Sequence, residues 1–229
     1  MKLSIALDLQ TQEENLALVD TLQDFDDIWF KVGLRSFIRD GYSFLEKIKN
    51  KNEKNKIFLD LKLYDIPNTM GDAAEEIAKF GVDMFNVHAS AGFDAMSNVA
   101  LRIDKYEQKP LILAVTALTS FDNESFQKVY GENIGEKANF FAREAHRAGL
   151  NGVVCSAHES RAIKSLTNSD FITLTPGIRP SGADVGDQKR VMTPIDAKDE
   201  MVDFIVVGRP IYKANNPEQV VEQILQEIQ

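Results

Sequence analysis

The chain has 229 residues, 44% of them hydrophobic, with 35 acidic against 26 basic side chains and a formal net charge of −9. That supplies a sizeable core for one large domain or two small ones, and the acid excess argues against a nucleic-acid backbone or an anionic membrane as partner, leaving a small anion held by a local positive cluster. The single Cys155 excludes an internal disulfide and a thiolate metal cluster, and with Asp8 cutting the first apolar run short of a signal peptide, and no run long enough to span a bilayer, a cytoplasmic protein is expected.

The predicted elements alternate strand and helix. Residues 3–7 form a strand ending at Asp8, and residues 11–23 a helix with Leu16, Val19 and Leu22 on one face. The second strand, 28–33, carries Lys31; one helix over 36–50 and a Lys- and Asn-rich turn follow. The third strand opens the stretch Ile57-Phe-Leu-Asp-Leu-Lys-Leu-Tyr-Asp-Ile-Pro-Asn-Thr69. Its apolar residues suit a buried sheet. Asp60 and Lys62, at i and i+2, project from one face, and Leu59, Leu61 and Leu63 from the other. Asp65 comes next, and Pro67 opens a helix that runs to about residue 80, stopped by Gly81. Charges inside a sheet are costly unless paired. A structural salt bridge and a reactive network both fit this stretch taken alone.

The fourth strand, 82–87, ends at His88, and the segment 89–92 opens a helix to about residue 105. Strand five is 111–115; a connection over 121–131 has helical capacity, and the main helix runs from 134 to 148, stopped by Gly149. Strand six (152–155), a helix (159–166), strand seven (171–174), strand eight (203–207) and a helix (217–228) complete the pattern. Eight strand–helix units predict an α/β protein, a (β/α)8 barrel with one domain over 1–229. An open doubly wound sheet fits less well, because no Gly-x-Gly-x-x-Gly follows the first strand and polar residues end almost every strand. Between strands seven and eight, residues 175–190 are polar, long and rich in Gly and Pro, as expected of a mobile lid.

A barrel gathers its strand ends at one C-terminal mouth. Here those ends bring Asp8, Lys31, Asp60, Lys62, Asp65, His88, Thr119, Ser120, Gly177, Arg179, Gly208 and Arg209. Structural salt bridges have no reason to collect at one end of every strand. Asp8, Lys31, Asp60, Lys62 and Asp65 alternate in sign, and opposite charges about 4 Å apart attract by about 4 kcal/mol at an effective dielectric near 20. Lysines so placed stay cationic. Lys62 then suits donating a proton to a developing carbanion, and not a Schiff base, which needs a neutral amine. A metal on Asp60 and Asp65 would compete with two ammonium groups for the same space, so none is expected. Gly177-Ile-Arg179 and Gly208-Arg209-Pro210, after strands seven and eight, form the expected phosphate site, although each arginine alone also reads as a solvated loop charge. His88 reads as a hydrogen-bonded structural histidine, His146 and His158 as helix-surface residues, and Cys155 as inert core.

Together these motifs resemble the orotidine 5′-phosphate decarboxylase family over the whole chain. The resemblance rests on Ala6-Leu-Asp8, Phe30-Lys-Val-Gly33, the run from Phe58 to Thr69, Val115-Thr-Ala-Leu-Thr-Ser120, Thr175-Pro-Gly-Ile-Arg179 and Val207-Gly-Arg-Pro210. The Asp-x-Lys-x-x-Asp core is specific in that setting, and the chain looks like the shorter bacterial form without a fused phosphoribosyltransferase domain. The resemblance implies a homodimer that converts orotidine 5′-phosphate to UMP and carbon dioxide, the last step of de novo pyrimidine synthesis, with neither metal nor organic cofactor. It implies that Lys62 protonates C6 and that Asp60 lies near the substrate carboxylate. Asp65 and Thr69 would reach into the other subunit's site, and Lys31 and Asp8 would contact ribose hydroxyls. Thr119 and Ser120 would meet the pyrimidine, and Arg179, Gln188, Gly208 and Arg209 would serve the phosphate and the lid. The keto-gulonate phosphate decarboxylases and hexulose-phosphate synthases share the core but resemble one another in a glutamate metal ligand on strand two, where this chain has Lys31. A non-catalytic sensor of phosphate ligands is the reading from another class, and the intact charge network argues against it.

Overall fold

The short runs in this chain are apolar on both faces, so each strand needs cover from two sides: helices outside and the other strands' side chains inside. The structure, a computed structural model, describes residues 1–180 and 192–229. In chain order the elements are β1 (Lys2–Ala6), α1 (Gln12–Leu22), β2 (Ile28–Gly33), α2 (Leu34–Asp40), α3 (Tyr42–Lys51), β3 (Lys56–Leu63), α4 (Pro67–Lys79) and β4 (Met84–His88). After a single 3-10 turn (Ala89–Ala91) come α5 (Phe93–Ile103), β5 (Leu111–Val115), α6 (Asn123–Tyr130), α7 (Ile134–Arg147), β6 (Gly152–Val154) and α8 (Ala157–Leu166). The chain continues with β7 (Ile172–Thr175), α9 (Pro194–Asp199), β8 (Phe204–Val207), α10 (Arg209–Tyr212) and α11 (Pro217–Ile228).

Among the described residues the eight strands pair in chain order, all parallel, and close into a barrel where Leu3 of β1 meets Ile205 of β8. The expected (β/α)8 barrel is the fold. Ala6, Trp29, Phe58, Met84, Leu113, Leu174 and Phe204 fill the barrel, with Trp29 edge-on to Phe204 at 5.2 Å. Leu3, Ile5, Phe30, Leu59 and Phe85 take the alternate positions and pack outward against the helices. Each fully buried side chain of this size contributes roughly 1.5–3 kcal/mol.

Three local expectations change. The helix expected over 36–50 is two helices, broken at Gly41, whose φ of 63° and ψ of −159° belong to a region open essentially to glycine alone. The connection before β8 contains α9, started by Pro194 behind a Thr193–Asp196 capping box. The residues after β8 turn at once into α10, so Arg209 lies at a helix start instead of in a loop.

Candidate active site

Period-two alternation carries each strand's interior face up to the mouth. Above Trp29 on β2 comes Lys31; above Phe58 on β3 come Asp60 and Lys62; above Met84 on β4 come Asn86 and His88. Lys31 Nζ lies 3.3 Å from Asp60 Oδ2 and 3.6 Å from Asp8 Oδ2, and Lys62 Nζ lies 2.6 Å from Asp60 Oδ1. Side-chain exposure rises from 10% at Lys31 and 14% at Asp60 to 37% at Lys62, so Lys62 is the cation that faces the open mouth. Burial raises the Asp60 pKa, but attraction from Lys31 and then Lys62, with hydrogen bonds from Lys62 and Asn86, overrides it and holds the carboxyl at about 2. Burial likewise lowers the Lys31 pKa, and Asp60 and Asp8 outweigh it, so this ammonium sits above its ordinary value. A side chain at position 33 would start 2.9 Å from Lys31 Nζ and 3.1 Å from Asp8 Oδ1, so it would push on the charged ends of both.

Lys62 departs from strand geometry. Its φ of 55° is left-handed, a conformation that costs a non-glycine residue about 1–2 kcal/mol. The β3–β4 ladder shifts there: Leu59 pairs with Phe85 but Leu63 pairs with Val87. Asn86 fills the gap, accepting the Lys62 backbone N–H at Oδ1 (2.8 Å) and donating from Nδ2 to Asp60 Oδ1 (2.8 Å). His88 accepts the Ser90 N–H at Nδ1, stacks on Tyr64 and is pushed toward its neutral form by burial and then by Lys62.

Two adjoining cavities open at the mouth. The first, of about 220 Å³, has Lys31, Asp60 and Lys62 on one side, an apolar floor including Phe58, Val115 and Val154, and Leu118, Thr119 and Ser120 along its edge. The second, of about 300 Å³, is lined by Asp8, Lys31, Gly177, Arg179, Gly208, Arg209 and Tyr212. Lys31 and Pro176 border both, so one ligand can lie across the pair. Arg179 is buried, and its backbone N–H bonds Met192 O at 3.0 Å, which joins the two flanks of the segment between β7 and α9. The Tyr212 hydroxyl is pushed up by burial and then by Asp8, and down by Arg209, Arg179 and Lys31.

The mouth therefore gathers Asp8, Lys31, Asp60, Lys62, Thr119, Ser120, Arg179, Gly208 and Arg209. It does not gather Asp65 or Thr69. Both are exposed, Asp65 accepts the Ile66 N–H, and it makes no salt bridge among the described residues. The alternating five-charge series is a four-membered network within one chain. Gln188 and the expected lid, apart from its first residues, lie outside the described residues. Asn86 and Tyr212 escaped the sequence reading, and Gly33 and Pro176 entered it only as members of motifs, without a role of their own. Counting back by two from His88 along β4 reaches Asn86, a polar residue on an interior face, and was the available signal. His158 is exposed and Cys155 is buried, as expected; His146 is half-buried and bonds Asn168.

Fold and site define a (β/α)8 barrel whose mouth joins a lysine–carboxylate network to an arginine-lined pocket. Residues 1–224 match the model of the orotidine 5′-phosphate decarboxylase / HUMPS family, and the chain belongs to that family. It is 60% identical over 228 residues to the orotidine 5′-phosphate decarboxylase of Sulfurimonas denitrificans, covering 100% of both chains. It is 62% identical over 225 residues to that of a Nitratiruptor species, covering 98% of this chain and 99% of the relative. Among solved structures, the orotidine 5′-phosphate decarboxylase of Lactobacillus acidophilus superimposes with a TM-score of 0.85 at 32% identity, covering 99% of this chain and 98% of the other.

Proposed function

We propose that this chain decarboxylates orotidine 5′-phosphate to UMP and carbon dioxide in pyrimidine biosynthesis, without metal or organic cofactor, Lys62 supplying the proton to C6. The observation that carries the reading is the placement of the Lys31–Asp60–Lys62 network between an apolar slot and an arginine-lined pocket. The base enters the slot against Thr119 and Ser120, the ribose crosses Lys31 and Asp8, and the phosphate meets Arg179, Gly208 and Arg209; a role for Gln188, outside the described residues, is part of the proposal. The C6–carboxylate bond breaks, its electron pair stays on C6, and Lys62 Nζ gives that carbon a proton. A fixed cation aimed where negative charge develops needs no rearrangement at the moment of reaction. Phosphate binding far from C6 contributes energy that can be used to align the reacting end.

The family name also covers sugar-phosphate chemistry. Lys31, 3.3 Å from Asp60, occupies the space a metal on that carboxylate would need, which favours the metal-free reading. We also propose a homodimer in which Asp65 and Thr69 serve the neighbour's site. Tyr64 and Ile66, beside Asp65, are 64% and 66% exposed, as are residues expected to meet an apolar partner surface. No helix of the described chain is long and apolar enough to cross a membrane, and a cytoplasmic location is part of the proposal. The test is loss of the ultraviolet absorbance of orotidine 5′-phosphate in the presence of EDTA; an unchanged spectrum rejects the reading. Mixing Asp65→Ala with Lys62→Ala subunits should restore one intact site per mixed dimer. A mixture that stays inactive refutes shared sites.

A further inference from the structure

The left-handed backbone at Lys62 is held from one side by a single side chain. Asn86 is fully buried on the interior face of β4 and makes both of its bonds to the reacting strand. Its carbonyl oxygen takes the Lys62 backbone N–H, and its amide nitrogen gives a hydrogen to Asp60 Oδ1. Asp60 Oδ1 is also the oxygen that Lys62 Nζ touches at 2.6 Å. A closed ring results: from the Lys62 backbone through Asn86 to Asp60, and from Asp60 back to the Lys62 side chain. A carboxamide closes it at any pH, because one end must accept from a main-chain N–H and the other must donate to a carboxylate; a carboxyl group could do the same only while protonated. Among the described residues, the strands flanking this position bring two further titratable groups, Lys31 on β2, which pairs with Asp60, and His88 on β4, while β5 pairs Leu113 and Val115 with β4.

We infer that Asn86 is a positioning residue of the site, fixing at once the backbone turn that aims Lys62 and the carboxylate oxygen that Lys62 must leave to reach C6. The inference rests on the decarboxylase reading for its kinetic test and on geometry alone for its structural one. Asn86 touches no reacting atom. Its effect is on the spacing and direction of two groups that do, and displacement of such groups by an ångström costs about a hundredfold in rate.

Asn86→Leu keeps the branched shape, at a somewhat larger volume, and removes both bonds. It should lower kcat about 10²-fold with KM for orotidine 5′-phosphate within about threefold of wild type. Asn86→Asp supplies the conservative rescue. At low pH the new carboxyl group, protonated beside Asp60, donates to that carboxylate and accepts the Lys62 N–H, so kcat should approach wild type; as pH rises and it ionises, kcat should fall toward the Asn86→Leu level. A kcat for Asn86→Leu within twofold of wild type overturns the inference, and so does an Asn86→Asp pH profile that parallels wild type. If Asn86→Leu does not fold, the Asn86→Asp profile decides. If the wild type leaves orotidine 5′-phosphate untouched, the decarboxylase reading fails by itself. The inference is then judged on the Asn86→Leu or, failing that, the Asn86→Asp crystal structure at high pH: Lys62 should leave the left-handed region, and an unchanged backbone there refutes it.

Discussion

The two ends of this barrel use the same charged side chains for opposite purposes. At the floor, Asp83 takes Lys49 and Lys56 at 2.8 Å and also the Ile57 backbone N–H at 2.9 Å. Lys164 gives Nζ to Asp203, Ser169 O and Phe171 O, and Asp203 also accepts the Thr173 N–H. These pairs are tied into main chain at the starts of strands, where they fix register. At the mouth, Asp60 takes Lys31, Lys62 and the Asn86 amide. Its partners are side chains, and one of them, Lys62, opens onto a cavity. A pair closed by backbone stabilises a fold, whereas a pair closed only by side chains beside a cavity is available to a ligand.

The sharpest break in that contrast is Lys62→Ala. Turnover should fall by at least about 10³-fold, since a proton donor and a fixed charge are lost together, while UMP binding stays within a few fold of wild type by calorimetry. Activity near wild type would remove Lys62 from the chemistry. Arg209→Ala should raise KM and lower kcat/KM by about 2–3 kcal/mol equivalent, the loss of a charge-assisted contact; unchanged kinetics would take Arg209 out of the site.

At the floor the expectation reverses. Asp203→Ala strips a buried lysine of its counter-charge and should cost about 2–3 kcal/mol of stability in urea titrations, with kcat of the folded protein unchanged. A tenfold fall in kcat would erase the distinction between the two ends. The smallest effect concerns acid. The Asp60 carboxyl is depressed from 3.8 to about 2 in the fold, so the unfolded chain takes up that proton first as pH falls. The associated stability is complete above about pH 5 and disappears between about pH 4 and pH 2, amounting to about 2 kcal/mol at most. Urea titrations of wild type and Asp60→Asn at pH 5 and pH 3 should show the steeper loss in wild type; parallel losses would mean that Asp60 is not the group responsible.

Much of this was legible in the sequence because period and punctuation carry it. Strand ends marked by Asp8, Lys31, Asp60 and His88 announce a barrel mouth, and Pro67 marks where α4 begins. What stayed hidden depended on backbone geometry or on absent atoms. Gly41 looks like a residue inside an amphipathic run until its dihedral angles are known. Gly33 matters through the space it leaves to Lys31 and Asp8. Asp65 stands three residues beyond Lys62 and shares the motif, but β3 ends at Leu63 and Asp65 lies exposed beyond it, and spacing alone could not place it outside the network. Asn86 was hidden by chemistry: an uncharged residue in an apolar strand draws no notice until its two partners are seen.

The turn at Lys62 has a consequence for protein design. Copying the aspartate and the lysine onto the third strand of another parallel barrel would transplant the residue types without their directions, because an unbroken ladder at that point would carry Lys62 along the ordinary pleat. The portable unit is a bulged strand, its neighbour's carboxamide and the register slip between Leu59 and Leu63. A grafted site should be judged first on whether the recipient backbone accepts that slip.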